Sequence, residues 1–292
     1  MTGDKFRFRF SKSGTLRLVS HHDLMRCAER MLRRAAVPFK STAGFHPTPR
    51  LVFALSLPLG VVGCDEVVEL ELTEPRDGNE LLATLNTQAP TGMVFTRVAP
   101  VPMKVTAQAR RVVYEVPLPP DRVAQVEAAV TAFLAESKVW VERLRPSPKR
   151  LNLRPYVRGL SVFARPTPPT PLPEGRGELA DSPSLQGGGW GVGLQLDLWV
   201  TQTGTARAEE LLDLLGLPDL IDDGAVLSRT TIELRDEITA TDPADVPPDG
   251  PADAVPLTGP EVAALTARLD DDENQQPAEA SWGASPNGPV VE

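Results

Sequence analysis

Residues 5–26 read KFRFRFSKSGTLRLVSHHDLMR. Lys5 to Phe10 alternates strictly, with Phe6, Phe8 and Phe10 to one side and Lys5, Arg7 and Arg9 to the other. Successive strand side chains point to opposite faces, so this is a strand with one greasy and one basic face. Ser11 to Gly14 makes a turn. Ser20 followed by Asp23 has capping-box spacing, with Asp in place of Glu or Gln. A helix is therefore expected from His21. Leu24, Cys27, Ala28, Met31 and Ala35 form its apolar face, and Arg26, Arg30 and Arg33 its opposite face. The helix should end near Ala36, ahead of the restriction imposed by Pro38.

The same reading carries on downstream. Leu51–Leu57 is expected as an interior strand, and Val67–Leu72 as its hairpin partner, with Glu69 and Glu71 facing outward. Asp77 with Glu80 makes a second capping box, opening a short helix. Met93–Val98 closes a βαββαβ order of about a hundred residues, the ferredoxin-like arrangement. The pattern then repeats: a strand at 111–116, a helix at 121–136, strands at 139–144, 151–163 and 194–200, a helix at 206–215 and a strand at 226–234. The expected fold class is α+β: two ferredoxin-like units in tandem, with antiparallel sheets and helices on one face. Unit one spans 1–104 and unit two 105–239. A low-complexity insertion fills 166–191, and a disordered acidic tail rich in Pro and Ala fills 240–292, apart from a short helix at 260–269.

Charge is unevenly distributed. Residues 1–165 carry 25 Lys and Arg against 15 Asp and Glu; residues 166–292 carry 5 against 24. A basic globular part with an acidic tail suggests a polyanion-binding surface. Nowhere do eighteen apolar residues run together, so no membrane span is expected. The first residues lack the apolar run of a signal peptide. The two cysteines, Cys27 and Cys64, fit a reducing cytoplasm.

All three histidines lie between Ser20 and Arg50. His21 and His22 occupy a helix start, where the dipole disfavours imidazolium. A neutral imidazole there can act as general base, metal ligand or hydrogen-bond partner. Gly44-Phe45-His46-Pro47-Thr48-Pro49-Arg50 is an extended loop stiffened by two prolines. Phe45 and His46 could stack on a base from it, or anchor the loop. Four arginines on the helix face only Glu29, against the bland reading of a solvated amphipathic face. There is no P-loop, dinucleotide fingerprint, Cys-x-x-Cys pair or Gly-x-Ser-x-Gly elbow. No cofactor and no metal of the chain's own are expected.

Three stretches, Phe8–Gly14, Leu18–Arg26 and Gly44–Arg50, resemble a bacterial family of unknown function, the radical-SAM-linked protein family. Its members typically read Ser-His-Leu-Asp-Leu-Met-Arg and Gly-Phe-Asn-Pro-His-Pro-Lys at the last two places. Leu153–Tyr156, Gly204–Arg207 and Ser228–Thr230 resemble it more weakly. This chain differs in having His22 for Leu, His46 for Asn and Thr48 for His. The resemblance implies a radical SAM partner that carries the iron–sulfur cluster and cobalamin, with this chain as the accessory piece.

Two functional classes follow. In the first, an RNA-binding module grips phosphates with Arg7, Arg9, Arg17, Arg26, Arg30, Arg33, Arg50, Lys149, Arg150 and Arg154. Phe45 and His46 stack on an unpaired base of a tRNA or rRNA. In the second, an RNA-processing or RNA-modifying enzyme uses His21 or His22 as general base. A scaffold that contacts only a protein partner is the third reading.

Overall fold

The computed structural model describes residues 4–145, 147–165, 191–238 and 253–274. All but the last residue of the insertion expected at 166–191, and most of the acidic tail, lie outside these. The chain is a mixed α+β protein that divides into two compact units. The larger comprises residues 1–139 and 152–252, and the smaller 140–151 and 253–292.

In the larger unit the first six elements are β1 (Lys5–Lys12), α1 (His21–Arg34), β2 (Leu51–Phe53), β3 (Val62–Glu71), α2 (Gly78–Gln88) and β4 (Met93–Pro100). Then come β5 (Ala109–Pro117) and α3 (Val123–Ala135). After the excursion to the smaller unit, β8 (Val157–Ala164), β9 (Val192–Trp199), α4 (Ala208–Leu214) and β10 (Ser228–Leu234) complete it. The main sheet runs β4-β1-β3-β10-β5-β9-β8, with β2 also paired to β3.

β3 is the hinge of this order. One edge pairs antiparallel with β1 along most of its length. Its other edge is divided. Val68 to Leu70 pair with β2, whereas Val62 and Gly63 pair in parallel with Ser228 and Arg229 of β10. That short parallel pairing makes one sheet of the two strand quartets.

The phenylalanine side of β1 is core: Phe6, Phe8 and Phe10 are all at most 5% exposed. Phe95 meets Phe8 edge-on at 5.8 Å between ring centroids. Leu24, Met31 and Leu32 of α1 and Leu81 and Leu85 of α2 complete the cluster. Each such large apolar side chain contributes about 1.5–3 kcal/mol on burial, so this layer holds both helices to the sheet. Both helix starts are capped as the spacing predicts: Ser20 accepts from the Asp23 amide, and Asp77 from the Glu80 amide. α1 ends in a left-handed residue, Ala36 at φ 50°. The Val37 amide donates to Leu32 O and the Ala36 amide to Arg33 O, closing the last turn as a Schellman motif.

Two expectations need correction. The strand expected at 51–57 stops at Phe53. Glu69, expected to face solvent, is fully buried, because the basic side of β1 lies over it.

The smaller unit holds a three-stranded sheet, β11-β7-β6, built from β6 (Trp140–Arg143), β7 (Lys149–Asn152) and β11 (Ala254–Pro256). Helix α5 (Gly259–Asn274) follows, with Glu261 accepting from the Thr258 amide at 2.8 Å. Residues 254–256 and 259–274 of the acidic tail therefore have regular structure.

Candidate nucleic-acid interface

The segment between α1 and β2 projects as a narrow hairpin. The Arg50 amide donates to Lys40 O and the Thr42 amide to Thr48 O, both at 2.8 Å. The Thr48 amide also donates to Thr42 Oγ1 at 3.1 Å. Pro47 and Pro49 restrict the returning arm. Phe45 stands at the tip, 101% exposed, with His46 exposed beside it. The anchoring role considered for Phe45 does not fit a ring that touches nothing. Lys40 and Arg50 flank the root, pairing with Glu71 at 3.3 and 3.2 Å. Burial opposes ionisation of Glu71, but hydrogen bonds from both cations outweigh it and hold its carboxyl below the ordinary value.

Helix α1 runs beside this root. Arg33 lays its guanidinium over the ring of Phe39, 5.4 Å from the centroid, and reaches Glu29 at 2.8 Å. Arg26 pairs weakly with Asp23 at 3.5 Å. Arg30 is exposed, with no ion pair or hydrogen bond among the described residues. Arg34 donates to Gln88 O at 2.9 Å. Arg33 thus joins α1 to the hairpin root through Phe39, whereas Arg34 turns to the end of α2 and Arg26 to the start of its own helix. No local sequence pattern marks Lys40; it sits opposite Arg50 only because the hairpin closes.

The basic side of β1 lies elsewhere, which corrects the expectation of a single surface built from strand and helix. β1 points Phe6, Phe8 and Phe10 toward α1, so Lys5, Arg7 and Arg9 emerge on the other side of the sheet. There carboxylates neutralise them. Arg7 is 5% exposed and donates to Glu69 at 2.8 Å, Asp236 at 2.7 Å and Glu237 at 3.1 Å. Lys5 pairs with Glu69 at 2.7 Å, and Arg9 with Asp65 and Glu237. These carboxylates hold Arg7 more firmly protonated despite its burial.

The remaining cations are also dispersed. Arg17 lies on the 3-10 turn after β1 and donates to Gly14 O at 3.1 Å. Arg154 donates to Val157 O at 3.0 Å and Leu134 O at 3.3 Å, tying down the end of α3. Lys149 and Arg150 belong to the smaller unit, where Arg150 pairs with Glu142 at 2.8 Å.

The two histidines part company, as adjacent residues on a helix must. His22 is exposed. His21 turns inward, edge-on to Phe53 at 5.1 Å, with a buried Nδ1 that has no hydrogen-bond partner. Burial lowers its pKa below the ordinary value, and the charges of Lys12 and Arg229 lower it further.

Those charges belong to a buried cluster at the β3–β10 seam. Arg229 is 0% exposed and grips Glu66 with two bonds, at 2.8 and 2.6 Å. It also donates to Ser56 O at 3.0 Å and to the Tyr114 hydroxyl at 3.4 Å. Lys12, equally buried, donates to Val19 O at 2.7 Å. Gly63 is required here, because a Cβ would come within 2.5 Å of Glu66 Cγ. The sequence signals for the cluster were Ser228–Thr230 of the resemblance and the acidic pair Asp65–Glu66 ahead of Val67 and Val68 in β3.

The fold and this region define a mixed α+β protein with a basic helix and an aromatic-tipped hairpin on one side. The chain belongs to a family of uncharacterized proteins conserved in bacteria, the domain of unknown function DUF2344, which it matches over residues 5–176. No curated protein matches it. Among the described residues no helix is long and apolar enough to cross a membrane.

Proposed function

We propose that the chain is an accessory RNA-binding module that works in the cytoplasm with a radical SAM protein and presents a tRNA or rRNA to it. The observation that carries this is Phe45: a fully exposed ring on a proline-stiffened hairpin, with Lys40 and Arg50 at its root and Arg33 of α1 over Phe39 beside them. An exposed aromatic set beside cations is the arrangement that stacks an unpaired base while holding its phosphates. The face of the sheet carrying Arg7, Arg9, Asp65 and Glu69 is charge-neutralised, so the helix-and-hairpin side is the one open to a polyanion. The radical SAM partner rests on the sequence resemblance, and the cytoplasm is consistent with two free cysteines.

The fold itself we read as two ferredoxin-like units in tandem, 1–104 and 105–239. What supports this is that β1–α1–β2–β3–α2–β4 is ordered β4-β1-β3-β2, and β5–α3–β8–β9–α4–β10 is ordered β10-β5-β9-β8. Both follow the same plan.

The test is equilibrium binding of a fluorescent single-stranded RNA and of a duplex over a range of salt. A preference for the single strand is expected, with affinity falling steeply as salt rises. Absence of binding at low salt, or equal affinity for both forms, would remove the reading.

A second reading, an RNA-processing or RNA-modifying enzyme, is favoured by His21. Burial disfavours its imidazolium form, and its Nδ1 has no hydrogen-bond partner among the described residues, the state a general base starts from. Turnover of a defined RNA that survives in His21→Ala would exclude it.

A further inference from the structure

Away from the hairpin, a cleft of about 470 Å³ opens where the Arg17 turn and residues 59–61 meet α4 and the loop after it. The volume suits a small organic ligand. Its walls are held by backbone bonds: the Gly60 amide donates to Arg17 O, and the Val62 amide to Leu227 O, both at 3.0 Å. The floor is apolar, with Leu212 and Leu227 buried. Three apolar side chains stand exposed at its lip: Leu18 at 59%, Leu59 at 65% and Ile221 at 38%. Grouped exposed apolar surface of this kind marks a place that something covers.

The charge of the lining points to the chemistry of the occupant. Glu209, Asp213 and Asp222 line the cleft against one cation, Arg17. Elsewhere the carboxylates at structural positions are matched: Glu66, Glu69, Asp65, Asp197, Asp219 and Glu233 all have an Arg or Lys partner. Among the described residues none pairs with Glu209, Asp213 or Asp222. All three are exposed at the cleft mouth, and partial desolvation with the neighbouring Glu210 raises the Asp213 carboxyl above its ordinary pKa, which a cation placed there would oppose.

We propose that this cleft binds an amphipathic organic cation, a primary ammonium or guanidinium group on an apolar body. The cationic head sits among Glu209, Asp213 and Asp222. The apolar body lies against Leu212 and Leu227, under Leu18, Leu59 and Ile221. The site is independent of the proposed RNA interface.

Phenethylamine and its uncharged analogue phenethyl alcohol are the probes, titrated into the full chain at low ionic strength and followed by NMR shifts of the Leu and Ile methyl groups. The amine should saturate, with the alcohol about tenfold weaker or worse, as expected for loss of a charge-assisted contact. Asp213→Asn should weaken the amine by a similar factor. Asp222→Asn, on an exposed turn, provides the same test should Asp213→Asn disturb folding. Phe45→Ala should bind the amine unchanged, which separates this site from the RNA reading. A titration that does not saturate, an alcohol that binds as well as the amine, or amine affinity unaltered in Asp222→Asn and a folded Asp213→Asn overturns the proposal.

Discussion

Arg229 meets Glu66 fork to fork, Nη2 to Oε2 at 2.6 Å and Nε to Oε1 at 2.8 Å, with the guanidinium wholly out of solvent. The pair joins β10 to β3, the two strands through which the quartets share a sheet. Removing one partner of a buried pair leaves the other charge uncompensated, at a cost of about 3–5 kcal/mol. Glu66→Ala should therefore lower the urea midpoint drastically or prevent folding. Glu66→Gln, which keeps the shape and an acceptor oxygen, should be less severe. A Glu66→Ala protein with an unchanged midpoint would show that the pair does not hold the seam.

For RNA binding, Phe45→Ala should lower affinity for single-stranded RNA by about 1–3 kcal/mol, the worth of one stacked base. It should leave thermal stability unchanged, because the ring is fully exposed. Arg30→Ala and Arg50→Ala should each reduce the slope of log K against log salt by about 0.7. Arg7→Ala should do the reverse of Phe45→Ala. It removes one of the two counter-ions of Glu69, leaving Lys5, and costs stability, while RNA affinity per folded molecule stays the same.

His21 predicts a pH dependence. Its folded pKa lies below the 6.5 of a free imidazole, chiefly through burial. The unfolded chain therefore binds the proton more readily, and stability rises with pH across this window. The contribution is complete above 6.5 and is lost as pH falls below 6.5 toward the folded pKa. Unfolding curves at pH 7 and pH 5 should show a larger loss in the native sequence than in His21→Gln. Parallel losses in the two proteins would count against a buried neutral imidazole.

Ala36 closes the Schellman motif of α1 in the left-handed region, at φ 50°. That conformation costs an L-residue roughly 1–2 kcal/mol, and glycine avoids it. Part of the gain is offset by the greater freedom of glycine in the unfolded chain. Ala36→Gly should stabilise the protein by about 0.5–1 kcal/mol on these opposing terms. Differential scanning calorimetry would register it as a raised Tm.

Local features were legible because their partners are close in sequence. The Ser20–Asp23 and Asp77–Glu80 caps form as their spacing implies, and the Phe6, Phe8, Phe10 alternation is the core face of β1. The fate of Arg7 was not legible. Two of its partners, Asp236 and Glu237, lie 229 and 230 residues away in sequence and reach it only once the sheet is assembled. A strand face that looks cationic by itself thus becomes a neutral, buried layer. Lys40 illustrates the opposite case. No local pattern marks it, yet hairpin closure sets it opposite Arg50. The divided edge of β3 was hidden for the same reason, since two short segments far apart in the chain share it.

That divided edge bears on biosynthesis. Glu66 is translated 163 residues ahead of Arg229. At about 5–20 residues per second, a nascent chain holds this carboxylate without its counter-ion for roughly 8–30 s. Over the same interval the amide row at Val62 and Gly63 has no neighbour, and an open strand edge is a template for wrong pairing. Polypeptides truncated before Ser228 should therefore accumulate as aggregates or chaperone-bound species. The protein is at its most vulnerable while it is being made.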